Sequence, residues 1–275
     1  MLNPRSVQKI LKGQETSDGA GVKLRRYIGT RELMDHDPFL MLDAFYSDDP
    51  HSYLAGFPDH PHRGFETVTY LIQGKMEHND SRGNRGLLEP GDAQFMRAGS
   101  GIIHSEMPLM ENGLMWGYQL WVNLPAKLKM STPHYQDLQS DEIPVFENEI
   151  AATKILSGSL GGIESRTRGF SEMDYLDVTF KASGTFEIPI ASEKSAFLMV
   201  IQGSGRIADT ELTRGDLAIL SGGDLLPLHG ESNFRALVIA ALPLNEPISR
   251  YGPFVMNTPQ EIELAFRDYQ NGKFG

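Results

Sequence analysis

Phe57-Pro58-Asp59-His60-Pro61-His62-Arg63-Gly64-Phe65-Glu66 and, further along, Ala98-Gly99-Ser100-Gly101-Ile102-Ile103-His104-Ser105-Glu106 are the two stretches on which the reading of this chain turns. Side chains two apart on a β-strand share a face. His60 and His62 therefore form one pair, and His104 and Glu106 a second pair of the same design. Brought together inside an antiparallel barrel, the two pairs place three imidazoles and a carboxylate around one point. Four titratable groups buried together are costly to desolvate, and a bound cation is the cheaper explanation of the pattern. Neutral imidazoles and a carboxylate suit Fe(II), Mn(II), Ni(II), Cu(II) or Zn(II), and not an all-oxygen calcium cage. Four protein ligands on an octahedral metal leave two positions open, which separates a working site from a closed structural one.

Around these stretches the chain alternates between β-rich runs and turns. Val22–Ile28, Phe39–Phe45, Thr67–Gln73, Ala93–Arg97 and Trp116–Leu124 read as strands. Glu89-Pro90-Gly91-Asp92 reads as a tight turn. Residues 1–21 read as a turn-rich, flexible segment, and Asp35-His36-Asp37 as a solvated loop. From Pro125 to Glu149 the composition shifts to prolines and scattered charges, which marks a linker.

Beyond the linker the first half recurs in outline. Tyr70-Leu71-Ile72-Gln73-Gly74 is answered by Leu198-Met199-Val200-Ile201-Gln202-Gly203, and Pro90-Gly91-Asp92-Ala93 by Arg214-Gly215-Asp216-Leu217. This order implies two copies of one barrel. The expected division is an N-terminal metal-binding barrel over residues 1–135 and a C-terminal barrel over 136–275. Of eight histidines only His229 lies beyond residue 150, so the second copy cannot rebuild a three-imidazole site. Thr258-Pro259-Gln260-Glu261 carries an N-cap threonine, a proline at the first helical position and a glutamate at the third, predicting a helix over about residues 259–270.

Composition narrows the function. The formal charge is 25 − 36 = −11, with acidic residues spread along the chain, which argues against direct binding to nucleic acid. No cysteine is present, so any metal must be held by nitrogen and oxygen. No long apolar run suggests a membrane span or signal peptide, and the expected location is the cytoplasm. Ser105 lacks the Gly-x-Ser-x-Gly elbow of a hydrolase, and Gly99-Ser100-Gly101 lacks the third glycine and following helix of a nucleotide cradle. Glu106 is the favoured carboxylate ligand. Glu66, which shares parity with His62 unless Gly64 breaks it, is the alternative ligand or a base. Phe39, Met41, Phe95 and Met107 are candidates for an apolar substrate wall, and His78 reads as a hydrated hairpin histidine.

The stretches 57–70 and 98–106 resemble the two motifs of the pirin family of the cupin superfamily. Asp37–Asp43 and the C-terminal segments Gly252–Thr258 and Asp268–Gly272 are similar to further parts of that family. The resemblance implies an all-β bicupin, two face-to-face antiparallel, jelly-roll-like barrels with a short C-terminal helix. It implies one metal site, in the N-terminal barrel, with His60, His62, His104 and Glu106 as ligands and iron as the usual metal. It also implies one of two functions. The first is a quercetin 2,3-dioxygenase-like oxidoreductase acting on a flavonol-type small aromatic substrate with O2. The second is an iron- or redox-dependent binding protein that regulates a transcription factor or a metabolic enzyme.

Overall fold

The computed structural model describes residues 2–110 and 112–274. Antiparallel strands dominate, and the one α-helix among the described residues is Pro259–Gln270. Contacts divide the chain into two units: Gln14–Ser140 together with the segment from Leu244 onward, and Asp141–Pro243 together with the segment ending at Gly13.

In the unit that carries the histidine motifs, a seven-stranded sheet runs in the order His134–Leu138, Ala93–Arg97, Phe65–Gln73, Met115–Asn123, Phe39–Ser47, Val22–Ile28 and Gln14–Asp18. A four-stranded sheet runs Phe57–His62, Ile102–Pro108, Met76–Asp80, Arg85–Leu88. Phe39–Ser47 is buried on both faces for its first seven residues, as its unbroken apolar run requires.

The other unit repeats this plan strand for strand. Its seven-stranded sheet is ordered Val7–Leu11, Leu217–Leu220, Ser195–Gln202, Arg235–Ala241, Met173–Phe180, Ala151–Ser157, Val145–Glu147, and its four-stranded sheet Gly184–Pro189, Leu225–Gly230, Ser204–Ile207, Thr210–Thr213. The Gly-Asp turns are equivalent in detail. Asp92 accepts a hydrogen bond from the Glu89 backbone N–H at 2.8 Å, and Asp216 one from Thr213 at 2.9 Å. Gly91 and Gly215 supply the positive φ that each turn needs, 90° and 87°.

The chain ends depart from the expected division at residue 135. Residues 1–21 are not an irregular lead: Val7–Leu11 pairs antiparallel with Leu217–Leu220, closing the edge of the second unit's sheet. That edge is the place filled in the first unit by His134–Leu138, which pairs with Ala93–Arg97. Ladder hydrogen bonds thus draw the N-terminus to the C-terminal copy. The C-terminal helix in turn belongs with the histidine-bearing unit, where Ile262, Ala265 and Phe274 pack with Phe254 and Met256. Its capping box forms as the sequence dictates, with the Thr258 hydroxyl accepting from the Glu261 N–H and the Glu261 carboxylate accepting from the Thr258 N–H.

Candidate metal centre

Pairing of Ile102–Pro108 with Phe57–His62 places His104 directly opposite His60 and Ile102 opposite His62. The register shifts between His104 and Glu106, so Glu106 sits opposite Phe57 on one side and His78 on the other. One ligand-capable nitrogen from each of His60, His62 and His104 lies within 4.8 Å of the others. Ring centroids are 4.4 Å apart for His60 and His104, 4.6 Å for His60 and His62, and 5.0 Å for His62 and His104.

The hydrogen-bond state of these rings shows what they can do. His60 Nδ1 lies 2.8 Å from the Pro58 carbonyl. A carbonyl only accepts, so Nδ1 carries a proton, and Nε2 is the nitrogen left to face a metal. Both ring nitrogens of His104, and Nδ1 of His62, are buried with no hydrogen-bond partner. Burial, and then the neighbouring imidazoles, hold His62 and His104 well below the usual histidine range. Burial thus favours the neutral form of His62 and His104, which is the state a metal ligand requires. The three-histidine cluster can bind a metal ion.

Glu106 stands beside this cluster and is not one of the mutually close groups. Gln119 Nε2 donates to both its oxygens, at 3.0 and 2.9 Å, and the Thr69 hydroxyl to Oε1 at 3.2 Å. These donors come from the facing seven-stranded sheet, and they fix the carboxylate next to the cavity. Trp121 Nε1 donates to Gln119 Oε1 at 3.1 Å, orienting the amide so that its NH2 meets Glu106.

Glu66 is placed elsewhere. The strand that carries His62 ends at that residue, and Phe65 begins a strand of the other sheet, so the parity that joined Glu66 to His62 is broken. Gly64 marks the crossing. Its φ is +89°, and a Cβ there would fall 1.9 Å from the Val255 carbonyl oxygen, so only glycine admits this approach. Glu66 lies opposite Arg97, which donates to Oε1 at 2.7 Å, and Thr69, three residues on, points to Glu106. Alternation therefore puts Glu66 on the far face of its sheet.

A cavity of about 630 Å³ opens on the cluster, lined among others by His60, His62, Glu106, Gln119, Met41, Phe45, Phe57, Trp121 and Arg250. Of the four apolar residues expected to line it, Met41 does so and Phe39, Phe95 and Met107 do not. The register shift between Trp121 and Val122 pairs Phe39 with Val122 and turns it off the inner face. Phe95 lies opposite Val68, sharing parity with Glu66. Met107 alternates away from His104 and Glu106 and packs at Gly56.

His78 is not hydrated. It is 3% exposed, its Nε2 lies 3.2 Å from Asp137 Oδ2, and its ring stacks on Tyr135. Gln94 donates to the other Asp137 oxygen at 3.0 Å. Despite partial burial, these two hydrogen bonds hold the Asp137 carboxyl below its ordinary value. Nothing local in the sequence marks Asp137 or Arg250, whereas a polar residue at an inward position of the alternating strand Trp116–Leu124 is a usable signal for Gln119.

Known proteins agree with this geometry. A family model described as pirin matches residues 21–122, and one described as the pirin C-terminal cupin domain matches 175–275. A pirin-like protein of Caulobacter vibrioides is 46% identical over 98% of this chain and 99% of its own, and a pirin-like protein of tomato 43% identical over 99% and 94%. The crystal structure of quercetin 2,3-dioxygenase from Acinetobacter baumannii superposes with a TM-score of 0.90, at 32% identity, over 99% of both chains. A repeated two-sheet plan, a histidine cluster confined to one copy and these likenesses together make this chain a member of the pirin family, with the cupin fold in both units.

Proposed function

We propose that this protein is a metal-dependent dioxygenase acting on flavonol-like aromatic substrates with O2. The observation that carries this reading is His104, buried with both ring nitrogens unpartnered and clustered with His60 and His62, which line a cavity. The donor set fits a divalent ion: three imidazoles with a carboxylate alongside. His60, His62 and His104 would hold it, with Glu106 as the fourth ligand, and Fe(II) is the metal we favour over Mn, Ni, Cu or Zn. Bound there, a ferrous ion supplies Lewis acidity toward a chelating phenolate and redox capacity toward dioxygen.

The chain's own groups then have defined tasks. Met41, Phe45, Phe57 and Trp121 form an apolar wall that receives a planar ring system and displaces water. Glu106, with Gln119 and Thr69 donating to it, holds a fixed orientation in which one oxygen can take the proton of a substrate hydroxyl. The similarity to a structure named quercetin 2,3-dioxygenase supports the choice of substrate class. The test is oxygen uptake by Fe(II)-loaded protein on adding quercetin, beside His104→Ala treated identically. Uptake matched by loss of the flavonol chromophore, and absent in the variant, is expected. No uptake by protein with stoichiometric iron overturns the reading.

One observation favours a second reading, a redox-dependent binding protein acting on a regulatory partner. Arg63, next to His62, forms a buried ion pair with Asp268 of the C-terminal helix at 3.0 Å, and its backbone pairs with Pro253 and Val255. A change at His62 thus has a mechanical route to an outer helix. Partner capture that differs between ferrous and ferric protein, without turnover, would select it.

A further inference from the structure

Two arginines line the cavity, and they differ in how their charge is used. Arg26 is neutralised within the wall: it donates to Asp43 from Nε and Nη2 at 2.8 and 2.7 Å, and to Asp18 at 2.8 Å. Arg250 has no such partner. Its guanidinium donates to the Leu40 carbonyl at 3.2 Å and touches the Met41 sulfur at 3.7 Å. Among the described residues no carboxylate lies within ion-pair distance of it; Asp43 and Asp18, which pair with Arg26, attract it from farther off. Arg250 lies over the Trp121 ring at 5.0 Å, and Trp121 is itself sandwiched by stacking on Phe65 at 4.2 Å and meets the edge of His62 at 5.1 Å. A partly buried guanidinium is thus held against an aromatic face beside a histidine of the cluster, with Asp43 and Asp18 attracting it only from beyond ion-pair distance, and it borders the cavity. Guanidinium donors match carboxylate and phenolate oxygens in geometry and charge.

We infer that Arg250 is the specificity-determining residue of this cavity, holding a second, anionic oxygen of an aromatic ligand whose chelating oxygens lie at the histidines. The ligand class is then a flavonol-like aromatic hydroxy-ketone that also bears an acidic group remote from its chelating pair, bound in preference to a neutral flavonol. Trp121 holds Arg250 on one side, and the ligand's ring system lies along the apolar wall of Met41, Phe45 and Phe57. Arg26 cannot serve in its place, because its fork is closed by Asp43.

This inference rests on the proposed function only in seating the chelating oxygens at the metal, and its test does not need turnover. Zn(II)-loaded protein is titrated under nitrogen with 3-hydroxyflavone and with 3-hydroxyflavones bearing a carboxylate on either terminal ring, affinity being read by fluorescence. The wild-type protein should prefer one carboxylated compound by about tenfold to a hundredfold, the range for a hydrogen bond to a charged group. The preference should shrink at high salt. Arg250→Met should erase it while leaving neutral 3-hydroxyflavone within about twofold and zinc stoichiometry intact, and Arg250→Lys should restore part of it. Equal affinity of the wild-type protein for all the compounds overturns the inference, as does an equal loss for neutral and anionic ligands in Arg250→Met. The wild-type comparison stands even if the variants fold poorly. Anion preference without oxygen uptake in the iron-loaded protein would refute the dioxygenase reading and keep the role of Arg250. Turnover without anion preference would do the reverse.

Discussion

The two units share a strand order and differ in what fills the space between their sheets. In the C-terminal copy the four-stranded sheet presents Phe186, Ile188, Ile207, Leu212, Leu226 and Leu228 to Leu176, Val178, Leu198, Val200, Ala218 and Val238, all of them buried. In the N-terminal copy the equivalent strands present His60, His62, His78, His104 and Glu106 to Thr69, Gln94, Gln119 and Trp121. Apolar filling is stabilising by the area removed from water, and the polar filling forgoes that in exchange for chemistry. The second copy's histidine is consistent with this division: His229 alternates away from Leu226 and Leu228 and pairs its Nδ1 with the Thr185 hydroxyl at 3.1 Å on the solvent-facing side of the sheet. One fold therefore carries a folding core in one copy and a polar interior able to bind a metal in the other. Support for the polar interior comes from features the other copy lacks among the described residues: the C-terminal helix, the Arg63–Asp268 ion pair, and Lys129, whose ammonium bonds Gly64 O, Asn123 Oδ1 and Val255 O at 2.9, 2.6 and 3.0 Å.

The largest expected effect separates the copies by metal content. His104→Ala should drop bound metal from one per chain to below a tenth and abolish oxygen uptake, measured by elemental analysis and an oxygen electrode, while thermal stability of the metal-free protein changes little or rises. The last expectation follows because the variant removes a buried imidazole with two unsatisfied nitrogens. Metal retained at full stoichiometry would break the assignment of the site to this copy. The converse variant is Leu228→Ala. It removes a fully buried side chain from the apolar copy and should cost about 2–5 kcal/mol in urea unfolding. Metal stoichiometry at 25 °C should be unchanged.

A smaller effect concerns pH. His62 and His104 sit well below the ordinary histidine value in the folded state because of burial, so the unfolded chain binds protons that the folded one refuses. Stability from these two groups is fully present above the unfolded value of about 6.5 and is lost as pH falls below it, at up to about 1.4 kcal/mol per pH unit per group. Metal-free protein should therefore show a falling Tm between about pH 6.5 and 5. His104→Ala should halve that slope, and a wild-type slope of zero would mean the rings are not held neutral.

Much of this was legible in the sequence for a simple reason. Alternation is local, so His60 with His62 and His104 with Glu106 could be paired without knowing the fold, and the capping box at Thr258 is written in four consecutive residues. What escaped depends on partners far along the chain. The N-terminal strand is defined by pairing with Leu217–Leu220, His78 by Asp137, and Arg250 by Leu40 and Trp121. Glu66, Phe39, Phe95 and Met107 escaped for a subtler reason. Parity tells which residues share a face but not which face is inward, and it fails wherever a strand ends, as at Gly64, or shifts register, as at Trp121.

The smallest effect sharpens the comparison at the helix, which only the histidine-bearing unit has. Thr258 caps Pro259–Gln270 through its hydroxyl, and Thr258→Ala leaves the Glu261 N–H without that acceptor. Loss of such a cap costs about 1 kcal/mol. The helix holds Asp268, which grips Arg63 beside His62, so fraying at the cap is communicated to the cluster only if that grip loosens. Asp268 lies in the last turn, about 1.5 Å of rise per residue and hence roughly 15 Å from the capped end. Fraying confined to the first turn should therefore leave the ion pair intact. The expected result is a fall of about 1 kcal/mol in unfolding free energy with metal affinity unchanged within twofold. A parallel loss of metal affinity would show that the helix and the histidine cluster move as one body, and would favour the redox-dependent binding reading over a self-contained active site.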